Sequence, residues 1–362
     1  MTTTVPAIFA FPEFAGVAAA VADHIIAAQN ATLSPSGINL NHASPSAIGL
    51  NGLIDSSADN SAANSAANST VNSGHSSHVH LAPPSQASLT PAASATILSH
   101  QRTRSSSNSH SHSLSHNSSS NPNNPGLPAG SSSASSSKKF RIAVSGGSLI
   151  HVLHQGLLGR SDVQWGQWEV YFADERLVPF SDPDSNFGLF KRQILDYLPP
   201  NSPRPVVFHI KESLIDDASA CADHYEKLLI KGFAAKDSVK LPIFDLLLLG
   251  CAPDGHVCSL FPNHALLRED LAWVAPVEDA PHGPKRRITL TIPVVCHAHR
   301  VTFVVEGATK APVLKTIMER PDKGLPASIV NEAAAGKVAW FVDDDALLDV
   351  FVTKKKYKML VV

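Results

Sequence analysis

His256 closes the stretch Phe244-Asp-Leu-Leu-Leu-Leu-Gly-Cys-Ala-Pro-Asp-Gly-His256, and its place in that stretch gives it chemical interest. An imidazole titrates near neutrality and can take a proton from water as a general base. The four leucines after Asp245 make an apolar run of strand length, suited to a strand buried on both faces of a parallel sheet. Gly250, Pro253 and Asp254-Gly255 then stop the strand and turn the chain. His256 is therefore expected at the carboxyl end of a central strand, where open α/β sheets hold their ligands. The competing reading of an isolated Asp-Gly-His is a loop histidine bonded to nearby backbone.

Two further stretches carry reactive or charged groups. Residues 140–145 read as a strand, Gly146-Gly147 as a turn, and 148–158 as a helix. A strand, a small-residue turn and a helix N-terminus bring free N–H groups together and can cradle an anion; Ser-Gly-Gly-Ser by itself is only a turn. Residues 168–172 form the next strand, which runs into Ala173-Asp-Glu-Arg176. That charged cluster is either a solvated loop or a ligand clamp.

The elements that must position these groups alternate along the chain. Phe14, Val17, Val21 and Ile25 recur at helical spacing, so 11–30 is expected to be an amphipathic helix and the first element of the fold. Asn186 is expected to open a helix running to Tyr197, followed by a strand at 206–210 and a helix at 218–233. Further strands are expected at 271–275, 287–292, 301–305 and 338–342. A helix runs to about Glu319, and a last one starts at Asp343-Asp-Asp. This rhythm predicts one α/β domain with a mostly parallel, doubly wound sheet flanked by helices.

Composition divides the chain and excludes several classes. Of 362 residues only 17% are charged, because residues 56–137 hold just Asp59, Arg102 and Arg104 besides histidine. The Ser/Asn/His-rich stretch 31–137 cannot bury enough apolar surface to offset its ordering entropy, and is expected to be a disordered insertion. The domain would then comprise a first helix within 1–30 and a catalytic part, 138–362. Histidines such as His75, His78, His80, His110, His112 and His116 can in principle share a cation, but read better as incidental to a low-complexity tract. Arg102-Thr-Arg-Ser-Ser-Ser has the form of a basophilic kinase site. A net charge of −2 gives no reason to expect nucleic acid as partner, and the basic tail 354–358 reads as a solvated end. Four cysteines without CxxC spacing indicate reduced thiols and, with no signal peptide or membrane-length run, a cytoplasmic protein.

The motifs taken in order resemble the 6-phosphogluconolactonases, within the glucosamine-6-phosphate isomerase/6-phosphogluconolactonase superfamily. The matching stretches are Ser145-Gly-Gly-Ser148, Phe172-Ala-Asp-Glu-Arg-Leu-Val-Pro179, Asp184-Ser-Asn186 and Asp245-Leu-Leu-Leu-Leu-Gly250. Asp254-Gly-His256, Ser259-Leu-Phe-Pro262, Arg287-Ile-Thr-Leu-Thr291, Gly307-Ala-Thr-Lys310 and Leu325-Pro-Ala327 complete the set. The resemblance covers 11–30 and about 138–348, with the low-complexity tract as an insertion of fungal type.

What the resemblance implies is hydrolysis of 6-phospho-D-glucono-1,5-lactone to 6-phosphogluconate, in the oxidative pentose phosphate pathway, with no metal or cofactor. Ser145, Gly146, Gly147, Ser148, Arg176 and Lys310 would hold the phosphate of this small-molecule partner. His256 would activate water, and Asp254 would orient it or simply hold the turn. Asn186 and Arg287 are outer candidates for substrate contact, Arg287 alternatively for an ion pair. Backbone N–H groups of 250–256 are candidates for the oxyanion. A monomer is expected. In the family Gly-x-Gly usually precedes x-Asp-Gly-His, whereas here Gly250-Cys-Ala252-Pro253 replaces the second glycine; a requirement for positive φ there would distort the loop. The resemblance also implies an alternative, since fungal members include catalytically weakened paralogues that act as binding or regulatory proteins in tRNA handling. A third reading is a glucosamine-6-phosphate deaminase. Those enzymes typically carry Asp-Glu-Tyr and Phe-Asn-Glu-Pro where this chain has Asp-Glu-Arg and Ser-Leu-Phe-Pro.

Overall fold

The computed structural model describes residues 6–34, 138–234 and 241–360. It begins with β1 (Ala7–Phe11) and α1 (Phe14–Leu33), then resumes with β2 (Phe140–Val144) and α2 (Ser148–Leu157). β3 (Trp168–Phe172), β4 (Asp174–Arg176), α3 (Asn186–Gln193), β5 (Val206–Val207) and α4 (Ala218–Phe233) follow. Next come β6 (Leu246–Leu249), β7 (Val274–Val277), β8 (Arg287–Leu290) and α5 (Ile292–His297). The described part closes with β9 (Val301–Val305), α6 (Ala311–Glu319), α7 (Pro326–Ala333) and β10 (Val338–Asp343).

Seven strands form one parallel sheet in the order β1-β10-β9-β6-β2-β3-β5. Successive strand side chains point to opposite faces, so a strand covered on both sides must be apolar throughout. β6 shows why its sequence is all leucine. Leu246 and Leu248 enter a core with Phe140, Ile142 and residues of α1 and α2, such as Val21 and Leu153. Leu247 and Leu249 enter the opposite core with Tyr225 of α4, Leu314 of α6 and Val330 of α7. All four leucines are fully buried, and each burial contributes about 1.5–3 kcal/mol. The expected doubly wound α/β architecture is present.

Three strands lie outside that sheet's order. β4, β8 and β7 pair antiparallel, with Asp174 opposite Thr289 and Arg176 opposite Arg287. Ala173 joins the two sheets: its N–H donates to Val144 O at 2.9 Å, and its carbonyl accepts Leu290 N–H at 2.8 Å. The charged cluster 174–176 is thus a strand with fixed side-chain directions, not the solvated loop that composition allowed.

Other expectations need correction. The first element is β1, not the helix; it is an edge strand whose one neighbour in the sheet order is β10, and its five-residue apolar run is too short to announce itself. α1 extends past Asn30 to Leu33. The strand expected at 206–210 shrinks to two residues, and the one expected at 271–275 sits at 274–277. β8 stops at Leu290 because Pro293 belongs to the first turn of α5, and the helix expected after Asp343 is a single 3-10 turn. Nor is the tail 354–358 simply solvated: Lys355 N–H donates to Ile8 O at 2.7 Å and the Tyr357 ring packs on Phe9, Phe11 and Phe341. It covers the edge that β1 would otherwise expose. The tract from 35 to 137, with its histidines and the serines after Arg104, lies outside the described residues. Among the described residues, no helix is long and apolar enough to cross a membrane.

Candidate active site

From β2 the chain winds outward through β3 to β5, then returns to place β6 on the other side of β2. The loops leaving β2 and β6 therefore diverge, which opens a crevice at the carboxyl ends of the strands. The cleft there has a volume of about 270 Å³.

The loop after β2 forms one wall. Ser145 N–H donates to Leu248 O at 2.9 Å, carrying the ladder one residue beyond the strand. Gly146 and Gly147 are required for different reasons. A Cβ on Gly146 would lie 1.8 Å from Asn186 Oδ1, and Gly147 has φ of +68°. The first turn of α2 follows directly, with N–H groups that have no intrahelical partner. The Ser145 hydroxyl is buried without a hydrogen-bond partner among the described residues.

β4 supplies the second wall. Asp174 is buried; it accepts the Ser259 hydroxyl at 2.7 Å on one oxygen and Asn186 Nδ2 at 3.3 Å on the other. Arg176 Nη1 donates to Asp184 O at 2.9 Å, while its Nε lies 3.9 Å from Asp174 and is buried without a hydrogen bond to any described residue. Glu175, between them, is fully buried and accepts the N–H groups of Arg176, Asn186 and Phe187 at 2.7–2.8 Å. Burial pushes its carboxyl up to about 7, against the pull of those three bonds. Glu175 ties β4 to the first turn of α3 and so holds Arg176 in place.

The β6 loop brings His256. Gly255 N–H donates to Ala252 O at 2.9 Å and Ala252 N–H to His256 O at 3.2 Å, closing a tight turn. Its left-handed residue is Gly255, with φ of +85°, where a Cβ would lie 2.9 Å from Leu325 Cδ1. Among the described residues, the non-glycine positions with positive φ are Cys258, Asn263 and Asp349. Ala252 and Pro253 thus sit where their side chains are tolerated, and the loop distortion that their presence threatened does not arise. The N–H groups of Ala252, Gly255 and His256 are engaged within the loop, so those three are not the oxyanion donors.

Asp254 Oδ1 accepts both His256 Nδ1 at 2.7 Å and His256 N–H at 3.1 Å. It therefore orients the ring and holds the turn together. Burial raises the Asp254 carboxyl, but the bonds from His256 outweigh it and leave the group below its ordinary value. A carboxylate only accepts, so the neutral imidazole carries its proton on Nδ1 and its lone pair on Nε2. The ring packs on Phe261, with centroids 4.6 Å apart.

Glu306 and Lys310 flank the positive-φ Gly307 on the last wall. Lys310 makes no ion pair with any described residue, and burial lowers its ammonium against the pull of Cys251 and Asp254. Cys251 and Cys258 also face the cleft. Burial pushes the Cys251 thiol up to about 12 and that of Cys258 well above its ordinary value, so both favour the neutral thiol over the nucleophilic thiolate.

The cleft brings together Ser145, Gly146, Gly147, Ser148, Arg176, His256 and Lys310. Asp254 stands behind His256. Asn186 is buried behind Gly146 and donates to Asp174 O at 2.9 Å, so it supports the wall without lining it. Arg287 is 3% exposed; Nε donates to Pro284 O at 2.9 Å, Nη2 donates to His282 O, and the guanidinium lies over Phe261. It too lies outside the lining. Sequence reasoning missed Asp174 and Glu306 as cleft residues. Asp174 was within reach, since it lies in the matched Ala-Asp-Glu-Arg stretch, and Glu306 directly follows an apolar strand. No group of three metal-ligating side chains that could hold an ion occurs among the described residues.

Residues 129–340 match the family model described as glucosamine-6-phosphate isomerases/6-phosphogluconolactonase. The chain belongs to this family. It is 54% identical to 6-phosphogluconolactonase-like protein 1 of Saccharomyces cerevisiae, over 99% of this chain and 97% of that protein. Identity to the probable 6-phosphogluconolactonase of Schizosaccharomyces pombe is 47%, over 57% of this chain and 82% of the other. Among solved structures, 6-phosphogluconolactonase from Trypanosoma cruzi superposes with a TM-score of 0.50 at 26% identity, covering 59% of this chain and 85% of that one. In this family member, the cleft lies within the matched span, from Ser145 to Lys310.

Proposed function

We propose that this cleft hydrolyses 6-phospho-D-glucono-1,5-lactone to 6-phosphogluconate. The observation that carries the reading is one cleft with a carboxylate-oriented imidazole, His256–Asp254, and an anion cradle made of Ser145–Ser148, Arg176 and Lys310. In this account, the buried and unpartnered Ser145 hydroxyl and Arg176 Nε find acceptors in the substrate phosphate. His256 Nε2 takes a proton from water as the oxygen adds to the lactone carbonyl. The tetrahedral intermediate then expels the ring oxygen, which takes that proton back from the imidazolium. Family membership and the names of the relatives support this reading.

A substrate chosen by its phosphate should be separable from the same lactone without one. Two charge-assisted hydrogen bonds, each of about 1.5–3 kcal/mol, correspond to a preference on the order of 10²-fold or more. The expected result is a kcat/KM for the phosphorylated lactone higher by that factor than for glucono-1,5-lactone. Equal values would remove the phosphate cradle from the account.

One observation favours a second reading, binding without turnover. The relatives that match 99% of this chain are named 6-phosphogluconolactonase-like, whereas the relative named a probable lactonase matches 57% of it. That reading predicts 6-phosphogluconate binding by a folded protein that does not accelerate lactone hydrolysis.

A further inference from the structure

Glu306 stands just past the carboxyl end of β9, in the same cleft as Ser145–Ser148, Arg176 and Lys310. A second carboxylate lies beside it. Asp343 ends β10, one residue past the paired Val342 and Val305, and it accepts Gly307 N–H on both oxygens at 3.0 and 2.9 Å and Ala346 N–H at 2.8 Å. Those bonds hold the Asp343 carboxyl in place beside Gly307. The Glu306 carboxyl itself has no hydrogen bond or ion pair with any described residue. Burial, and after it the charge of Asp343, push this carboxyl up to about 7.

The other charged or titratable groups around the cleft are Lys310 on the following turn, Asp174 and Arg176 on β4, and Cys251, His256 and Cys258 on the chain after β6. Lys354, from the tail, is paired with Asp344 and does not neutralise Glu306. An ionised Glu306 would repel an anionic ligand inside a partly desolvated cleft. A protonated carboxyl is instead an O–H donor. We infer that Glu306 engages the anionic ligand as a neutral acid, donating its O–H to a ligand oxygen, so that binding takes up a proton. This rests on the sugar-phosphate reading of the cleft. The sign follows directly: the competent, protonated form dominates below the group's midpoint and is lost as pH rises through it.

The test is calorimetric titration with glucose 6-sulfate, whose sulfate stays a monoanion across the range, and with 6-phosphogluconate as a second probe. Between pH 6 and 8 the wild-type dissociation constant for glucose 6-sulfate should rise about 10-fold, as the competent fraction falls by that factor. Buffers of different ionisation heat should report proton uptake at pH 7.5. Glu306→Gln, neutral at all these pH values and still a donor, should bind with the wild-type pH 6 affinity throughout and lack the Glu306 share of that uptake. Wild-type affinity that is flat or tightens with pH would overturn the inference, even were the variant not to fold. An identical profile in wild type and Glu306→Gln would do the same. No binding of either probe at any pH would remove the sugar-phosphate reading and this inference together, whereas binding without proton linkage removes only the inference.

Discussion

His256→Ala should lower kcat for the phosphorylated lactone by about 10²–10⁴-fold, the usual contribution of a positioned general base. KM should change little, because the anion cradle stands on the loop after β2, on β4 and on the turn after β9, not on the β6 loop. The turn carrying His256 is held by backbone bonds, Gly255 N–H to Ala252 O and Ala252 N–H to His256 O, which alanine retains. Thermal melting with a midpoint close to wild type would separate loss of chemistry from loss of fold. Asp254→Asn should also be impaired with the fold intact, since an amide can donate to Nδ1 and stabilise the tautomer whose Nε2 carries the proton. Turnover undiminished in His256→Ala would leave a hydrolase with a different base.

Gly146→Ala should damage the site without touching a charged group. The added methyl would lie 1.8 Å from Asn186 Oδ1 and 2.4 Å from Asn186 Cγ, too close for the loop and α3 to keep their places together. Asn186 cannot swing aside freely, because its Nδ2 donates to Asp174 O at 2.9 Å and its backbone N–H to Glu175 at 2.7 Å. Overpacking of this kind costs about 1–3 kcal/mol, and here the displaced loop is the proposed phosphate cradle. The variant should melt earlier and show a strongly raised KM for the phosphorylated lactone. Asn186→Ala removes the clashing atoms, so the double variant should recover part of the loss, a coupling that a double-mutant cycle measures. Additive effects of the two substitutions would place the damage elsewhere.

The two glycines and the leucine strand explain how much of this could be read from residues alone. Leu246–Leu249 has no polar face to alternate with, so a central buried strand followed by a Gly/Pro turn was legible, and with it the place of His256. Ser-Gly-Gly-Ser was legible as a possible anion cradle for the same reason: turn chemistry is local. Contacts made across distant chain segments were not. Asn186 sits against Gly146 from 40 residues away, and Asp174 meets Ser259 across 85 residues, by a side-chain hydrogen bond that no periodicity announces. Arg287 looked available for substrate, yet it spends its donors on the carbonyls of His282 and Pro284. β1 escaped notice because its five residues gain their stability from β10 and the tail rather than from local pattern. The suspicion attached to Ala252-Pro253 depended on a backbone angle, and the turn places its positive φ at Gly255 instead.

The measurement that bears most directly on the account is the rate of lactone hydrolysis by the purified, folded wild-type protein, with the lactone generated in situ from glucose 6-phosphate. The account predicts a rate proportional to enzyme concentration and well above spontaneous hydrolysis, saturating with the phosphorylated lactone. A folded protein that binds 6-phosphogluconate yet leaves the spontaneous rate unchanged would contradict it, and would make the cleft a sugar-phosphate receptor rather than a catalyst.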